Sequence, residues 1–314
     1  MDNLTHSLVG ALLGQAGLKR KTALAMPVLI IAANIPDIDA ACLFWLDGAE
    51  HLAFRRGITH GPLAMLVLPV LLWAVMLGWD RWRRRINAER PAVHRGWLLA
   101  LAFIGTLSHP AMDWLNTYGV RLLEPFSSRW SYGDSIFIID VWLWLGLASA
   151  LWISLRAERK GVTNWSQPAG FAVAVASAYI VTNGVITGLA ERSAMAALRS
   201  KGIESPLVVA SPPPVVFWER EVFWRDDKDY GQIRFSSFSS PAANTEVIPH
   251  NAGDPRLAAL AAGNSEVRAF LFWSRMPVAR FGPDGTLTLT DQRYSHPLAV
   301  DRFKVVAKPV ADTR

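Results

Sequence analysis

Residues 56–79 read RGITHGPLAMLVLPVLLWAVMLGW. From Pro62 onward this stretch carries no charge and has about the length that spans a bilayer as a helix. Immediately before it stand His60, Arg56 and Arg55. Histidine is costly beside such an apolar run unless it is paired or holds an ion. The join therefore predicts a membrane helix with a polar site at its end.

Further apolar runs extend the pattern. Residues 136–155 and 168–190 read as two more spans, the first interrupted only by Asp140, the second rich in small residues that permit close helix packing. Residues 96–108 reach helical span length only by continuing through His109 to about Leu115. The stretches 4–18 and 22–36 are shorter, about 22 Å each as helices, and read as a helical hairpin penetrating most of the membrane. Residues 200–314 have a different texture, with strand-like runs at 207–209, 215–218, 232–235, 269–273, 286–290 and 303–306, separated by turn residues such as Pro212-Pro213-Pro214 and Pro283-Asp284-Gly285. The expected fold is an α-helical transmembrane bundle over 1–195 followed by a mainly-β extracytoplasmic domain over 200–314.

Composition agrees with a membrane chain. Apolar residues make up 51% of it and charged residues 18%, with a mean hydropathy of +0.21. The 14 Trp suit membrane interfaces. The net charge of +6 concentrates in short loops, which argues for a topology signal and against nucleic-acid binding. One cysteine, Cys42, excludes an intramolecular disulfide and a Cys-rich zinc site. The N-terminal residues lack a signal-peptide layout. Basic loops at 19–21, 81–95 and 156–160 are expected to be cytoplasmic by the positive-inside tendency. Alternation then puts His6, Asp37, Asp39, His60, His109, Asp113 and Asp140 at the opposite membrane face.

That sorting is what raises these residues above coincidence. Taken singly, Asn34-Ile35-Pro36-Asp37-Ile38-Asp39 reads equally as helix capping, and His109…Asp113 as a surface pair. His6 reads as an interfacial residue, and the arginines as headgroup contacts. Together they form a ligand set for a divalent metal. His109 and Asp113, four apart, share a helix face. Asn116 lies on roughly that face and could hold a water or a substrate oxygen. Two carboxylates two apart cannot face the same way on a helix, so Asp37 and Asp39 divide between binding and orienting. Arg55 or Arg56 suits an anionic substrate. Asp140, inside a membrane-length run at a cost of about 2.5–3.5 kcal/mol, needs a partner or a metal-linked role. His51, His94, His250 and His296 are assigned no function, the last two being expected on the surface of the β domain. The chain contains no G-x-S-x-G, P-loop or H-E-x-x-H pattern.

Met1-Asp2-Asn3-Leu4-Thr5-His6-Ser7, Asn34–Asp39, Arg56–Gly61 and Ser108–Asp113 resemble the signatures of the YdjM-type family, bacterial inner-membrane proteins described as metal-dependent hydrolases. Tyr118-Gly119-Val120, Leu123–Phe126 and Ile138-Ile139-Asp140 continue the likeness, which covers roughly residues 1–155. The order of His, Asp, His and H-x-x-x-D is also similar to zinc-dependent phospholipase C and P1-type nucleases. That similarity implies zinc ligation by His6, Asp37, His60, His109 and Asp113. Those enzymes have further His and Glu ligands downstream that this sequence lacks, so one or two ions are expected.

The expectation is a multi-pass inner-membrane, metal-dependent hydrolase acting on a phosphoester in a lipid or envelope precursor at the extracytoplasmic surface. Asp39 or Asp140 would serve as base, Arg56 would hold the anion, and Asn116 would position an oxygen. The alternative is a non-catalytic scaffold with a structural metal and a β domain that binds a protein partner. An ion transporter fits less well, because its ionisable residues should be spread through the spans.

Overall fold

A computed structural model describes residues 1–238, 247–295 and 300–308. The chain forms two compact units, one of Met1–Asp39 with Arg56–Gly184, the other of Ala40–Arg55 with Val185–Arg314. The division falls inside a long helix, and a short excursion, 40–55, joins the C-terminal unit.

The first unit is helical. Helix α1 (Asn3–Gln15) starts where the Asp2 carboxylate accepts from the Leu4 and Thr5 amides. Helix α2 (Ala25–Ala32) runs into a 3-10 segment, Ile35–Phe44, with a 50° bend at the break. Pro36 fits the break, since proline has no N–H with which to continue α2 by donating to the Ala32 carbonyl. After α3 (Glu50–Phe54) in the excursion come α4 (Pro62–Ile86), α5 (Arg95–Trp114), α6 (Val141–Arg159) and α7 (Gln167–Arg199). His94 caps α5 by accepting from the Trp97 amide.

Two glycines set how these helices meet. A Cβ on Gly10 would lie 2.7 Å from the Leu29 carbonyl oxygen, and one on Gly105 would lie 2.5 Å from Ala32 Cβ. Helix α2 is therefore held at backbone distance by α1 and by α5. Val28, Leu29 and Ala32 form a core with Leu72 and Met76 of α4 and Leu98, Leu101 and Ala102 of α5. A second cluster joins Leu12 to Leu147, Ala150 and Ala169. The outer faces stay apolar: Leu66, Leu71 and Val75 on α4 and Phe171, Val175 and Val181 on α7 are exposed. Exposed apolar faces of this extent mark contact with a membrane or with another protein.

Among the described residues, α4 and α7 are long and apolar enough to cross a membrane, and the bent pair Ala25–Ala32 with Ile35–Phe44 would make a third candidate. The expected span at 136–155 is corrected. Its helix begins only at Val141, because Asp140 caps it, and its last turns carry Arg156, Glu158 and Arg159. The expected 168–190 span is part of a helix that continues to Arg199, and its last turns pack on a sheet.

The second unit is mainly β, with two antiparallel sheets. One is ordered β1 (Leu207–Ser211), β2 (Glu219–Arg225), β3 (Asp229–Ser236), β4 (Ile248–Pro249). The other is β5 (Pro277–Phe281), β6 (Leu287–Asp291), β7 (Lys304–Ala307). Helices α8 (Pro255–Gly263) and α9 (Ser265–Trp273) lie between them in sequence. Ala190, Ala194 and Leu198 of α7 pack on Val222, Trp224 and Ile233. Beside them the wholly buried Arg220 donates to Thr187 Oγ1 and to the Phe217 and Glu219 carbonyls. At the end of β6, Arg293 pairs with the buried Asp291 at 2.8 Å, and Ser274 donates to the same carboxylate. Burial opposes ionisation of Asp291, but Arg293 and these hydrogen bonds hold its carboxyl below the usual range.

Three expectations for this unit change. Residues 269–273 are helical, because Asn264 caps the Val267 amide and Val267, Phe270 and Trp273 bury one helical stripe. Residues 215–218 form turns, and the strand follows at Glu219. Among the other histidines, His250 is buried, its Nδ1 accepting from the Ala252 amide and its Nε2 facing the Asp226 carbonyl. His296 lies outside the described residues.

Candidate metal centre

The packing that buries α2 also aims two histidines past its end. His6 lies four residues before Gly10, and His109 four residues after Gly105, so each stands one helical turn beyond a close contact with α2. The chain leaving α2 bends there and delivers Asp37 and Asp39. His60 arrives from the 3-10 turn Ile58–His60, just ahead of α4. Asp113 follows His109 on the same face of α5.

Asp37, His60, His109 and Asp113 form a buried group whose potential ligand atoms all lie within 4.8 Å of one another. His109 Nε2 is 3.2 Å from His60 Nε2 and 3.5 Å from Asp113 Oδ2, and His60 Nε2 is 3.3 Å from that same oxygen. Asp37 Oδ1 is 3.8 Å from His109 Nε2. A tetrahedral ion with bonds of ~2.1 Å separates its ligand atoms by about 3.4 Å. Three of the atoms thus outline one face of such a tetrahedron, and Asp37 approaches the fourth corner.

Hydrogen bonding shows what these atoms carry. His109 Nδ1 lies 2.7 Å from the Ala33 carbonyl oxygen, which can only accept, so Nδ1 bears the proton. Thr59 gives its hydroxyl proton to Asp39 Oδ2 at 2.9 Å, and His60 Nδ1 lies 2.9 Å from that hydroxyl oxygen. His60 Nδ1 is therefore also a donor. In the neutral rings both Nε2 atoms present lone pairs to each other and to Asp113 Oδ2, an oxygen with no hydrogen-bond partner. Three inward-facing lone pairs in a buried place repel one another unless a cation lies among them. The residues fit a divalent metal bound by nitrogen and oxygen, a donor set suited to zinc among other ions.

The other candidate residues take distinct places. His6 is buried and stacks on His109 with ring centroids 3.8 Å apart, its Nε2 lying 3.3 Å from Asp113 Oδ1 and lacking a hydrogen-bond partner. It sits beside the four-residue group, on the side of the other Asp113 oxygen. Asp39 accepts from Thr59 and from the Arg56 amide at 2.7 Å, and so orients His60 from behind. Arg56 holds Asp113 Oδ1 at 3.0 Å, donates to Asn116 Oδ1, the Gly119 carbonyl and the Met1 carbonyl, and stacks over Tyr118. The Met1 amino group also meets Asp113 Oδ1. Asn116 is fully buried, and its Nδ2 has no hydrogen-bond partner. Asp140 stands apart as the cap of α6, accepting from the Leu143 amide and the Tyr179 hydroxyl. Arg55 belongs to the other unit.

Two contributors escape a reading by residue type. Thr59 was legible only as part of a Thr-His-Gly string, and its role depends on Asp39 lying across a twenty-residue separation. The Ala33 carbonyl leaves no trace in the sequence at all.

The YdjM inner membrane protein family model matches residues 1–190. The match contains His6, Asp37, His60, His109 and Asp113 and runs past the expected limit near 155 into α7. No curated protein and no solved structure matches the chain.

Proposed function

The chain belongs to the YdjM inner membrane protein family, and from that premise we propose that it is a membrane-bound, metal-dependent hydrolase. The substrate is a phosphoester in a lipid or envelope precursor, met at the extracytoplasmic surface. The single observation that supports this most is the triangle of unprotonated atoms, His60 Nε2, His109 Nε2 and Asp113 Oδ2, with Asp37 close by.

These four side chains would hold the ion. A bound divalent metal supplies Lewis acidity and a water whose pKa falls toward neutrality. The chain's own residues set the stage for that chemistry. Thr59 and Asp39 fix the His60 ring with Nε2 inward, and the Ala33 carbonyl does the same for His109. Arg56 keeps Asp113 ionised and fixes which of its oxygens faces the group. Asn116 Nδ2 is a buried donor free to take a substrate oxygen. Arg56 is already committed to four acceptors, so anion binding by its side chain requires it to give one up. Asp140, tied to the start of α6, serves as base only if it leaves its cap. Asp39 is the nearer carboxylate, one hydroxyl away from His60.

One observation favours a second reading, a structural metal in a non-catalytic scaffold whose β domain binds a protein partner. The four side chains are at most 4% exposed, and four protein ligands would close a tetrahedral site that catalysis needs open. Metal analysis of the full-length protein in detergent, followed by a panel of phospholipids and phosphodiesters with and without chelator, separates the two. Hydrolysis lost with chelator or His109→Ala, and restored by added metal, supports the hydrolase. Stoichiometric metal without turnover supports the scaffold. A protein that retains no divalent metal removes both.

A further inference from the structure

The two sheets of the C-terminal unit enclose a groove of about 610 Å³, within the range of small-molecule sites. Alternate residues line it. Tyr230, Gln232 and Arg234 come from one face of β3, Arg280 from β5, and Thr290 and Gln292 from β6 and the residue just after it. The register places this polar set on strands whose opposite faces supply the core, so alternation alone does not require it.

The chemistry of the lining is one-sided. Two arginines enter it and, among the described residues, no Asp or Glu does. Both guanidinium groups are exposed. Glu221 stands opposite Arg234 on the neighbouring strand yet is outside the lining, and among the described residues neither arginine forms an ion pair. Arg280 donates to the Tyr230 hydroxyl oxygen at 3.2 Å, which leaves the phenol proton to point elsewhere. Gln292 is 4% exposed, its Nε2 donates to the Gly231 carbonyl at 2.6 Å, and its Oε1 has no hydrogen-bond partner. A buried acceptor without a donor is costly, and Gln292 is one of the residues that line the groove.

We propose that this groove binds an anionic saccharide, its acid group held between Arg234 and Arg280 and its hydroxyls by Gln292, Gln232, Thr290 and Tyr230. Arginine pairs acids bidentately and tolerates carboxylate or phosphate alike, so the acid is defined by charge and the rest of the ligand by its hydroxyls. The site is independent of the metal centre.

Saturation-transfer difference NMR on the full-length protein in detergent, with chelator present throughout, tests this apart from any metal chemistry. The probes are glucuronate, glucose 6-phosphate and glucose, with inorganic phosphate as competitor. Binding by either acidic sugar, weaker by about tenfold or more for glucose and for Arg280→Ala or Arg234→Ala, is the expected result; which acid binds better identifies its source. Both arginines are exposed, so a matching thermal melt shows the variants folded. The proposal is overturned by no binding of either acidic sugar, by equal binding of glucose, by an Arg234→Ala/Arg280→Ala double variant that binds unchanged, or by inorganic phosphate competing as strongly as glucose 6-phosphate itself binds.

Discussion

Thr59 carries more of the site than its residue type suggests. Its hydroxyl passes the orienting effect of Asp39 to His60 Nδ1, and partners of this kind typically change metal affinity by about 10–100-fold when removed. Thr59→Val, which keeps the shape and deletes the hydroxyl, is expected to weaken metal binding by that margin, read by competition with a chromogenic chelator. Thr59→Ser should retain most of it, and His109→Ala should bind no ion at all. Equal affinity in Thr59→Val and the parent would remove the relay. At this scale the sequence was informative where side chains were costly to place: three imidazoles and several carboxylates beside apolar runs. It was silent where the partner was a backbone carbonyl, as at Ala33, or where two groups share a target, as Arg56 and His6 do at Asp113.

Among the elements, α2 is the gauge against which α1 and α5 are set. Gly105→Val pushes a side chain into Ala32, and overpacking of this kind costs about 1–3 kcal/mol. The expected readout is a lower melting temperature together with reduced metal content, because His109 is displaced along with its helix. Gly146→Ala on α6, where an added Cβ meets nothing within 4 Å, should leave both unchanged. The helices at 62–86 and 167–199 were legible from the uncharged runs 62–79 and 168–190 that they contain. The segment at 269–273 was not, since five apolar residues suit a strand or a buried helix equally, and the deciding group is Asn264 just upstream. Strand β2 was hidden because a buried arginine, Arg220, occupies a position that alternation expects to be apolar.

For the molecule as a whole, two conditions should act on separate units. Chelation is expected to lower the thermal stability of the helical unit and to leave the β unit unchanged, as followed by near-UV circular dichroism in detergent. Acid acts on the other. The folded-state pKa of Asp291 is lowered, so the stability it contributes is fully present above its unfolded value of about 4 and is lost as pH falls through the folded value. Asp291→Asn should flatten that acid limb in a pH series of melting curves; an unchanged limb would assign it to other carboxylates. The proposed orientation is checked by fusing alkaline phosphatase after residue 314, where activity is expected, and within 87–93, where it is not. The contrast between an apolar helical part and a strand-rich part was readable from texture. The departure of 40–55 from its neighbours was not, because nothing in its composition marks which unit it joins.

That excursion leaves the helical unit at Asp39 and returns at Arg56, and these two residues are bound to each other, amide to carboxylate, at 2.7 Å. The loop is thus drawn shut at its neck like a purse. Whatever lies beyond the drawstring can lengthen, shorten or be exchanged for a graft without shifting the anchor points on either side. Variation among related chains should therefore accumulate in that pouch, and a short Gly-Ser replacement of 42–53 should leave metal stoichiometry intact.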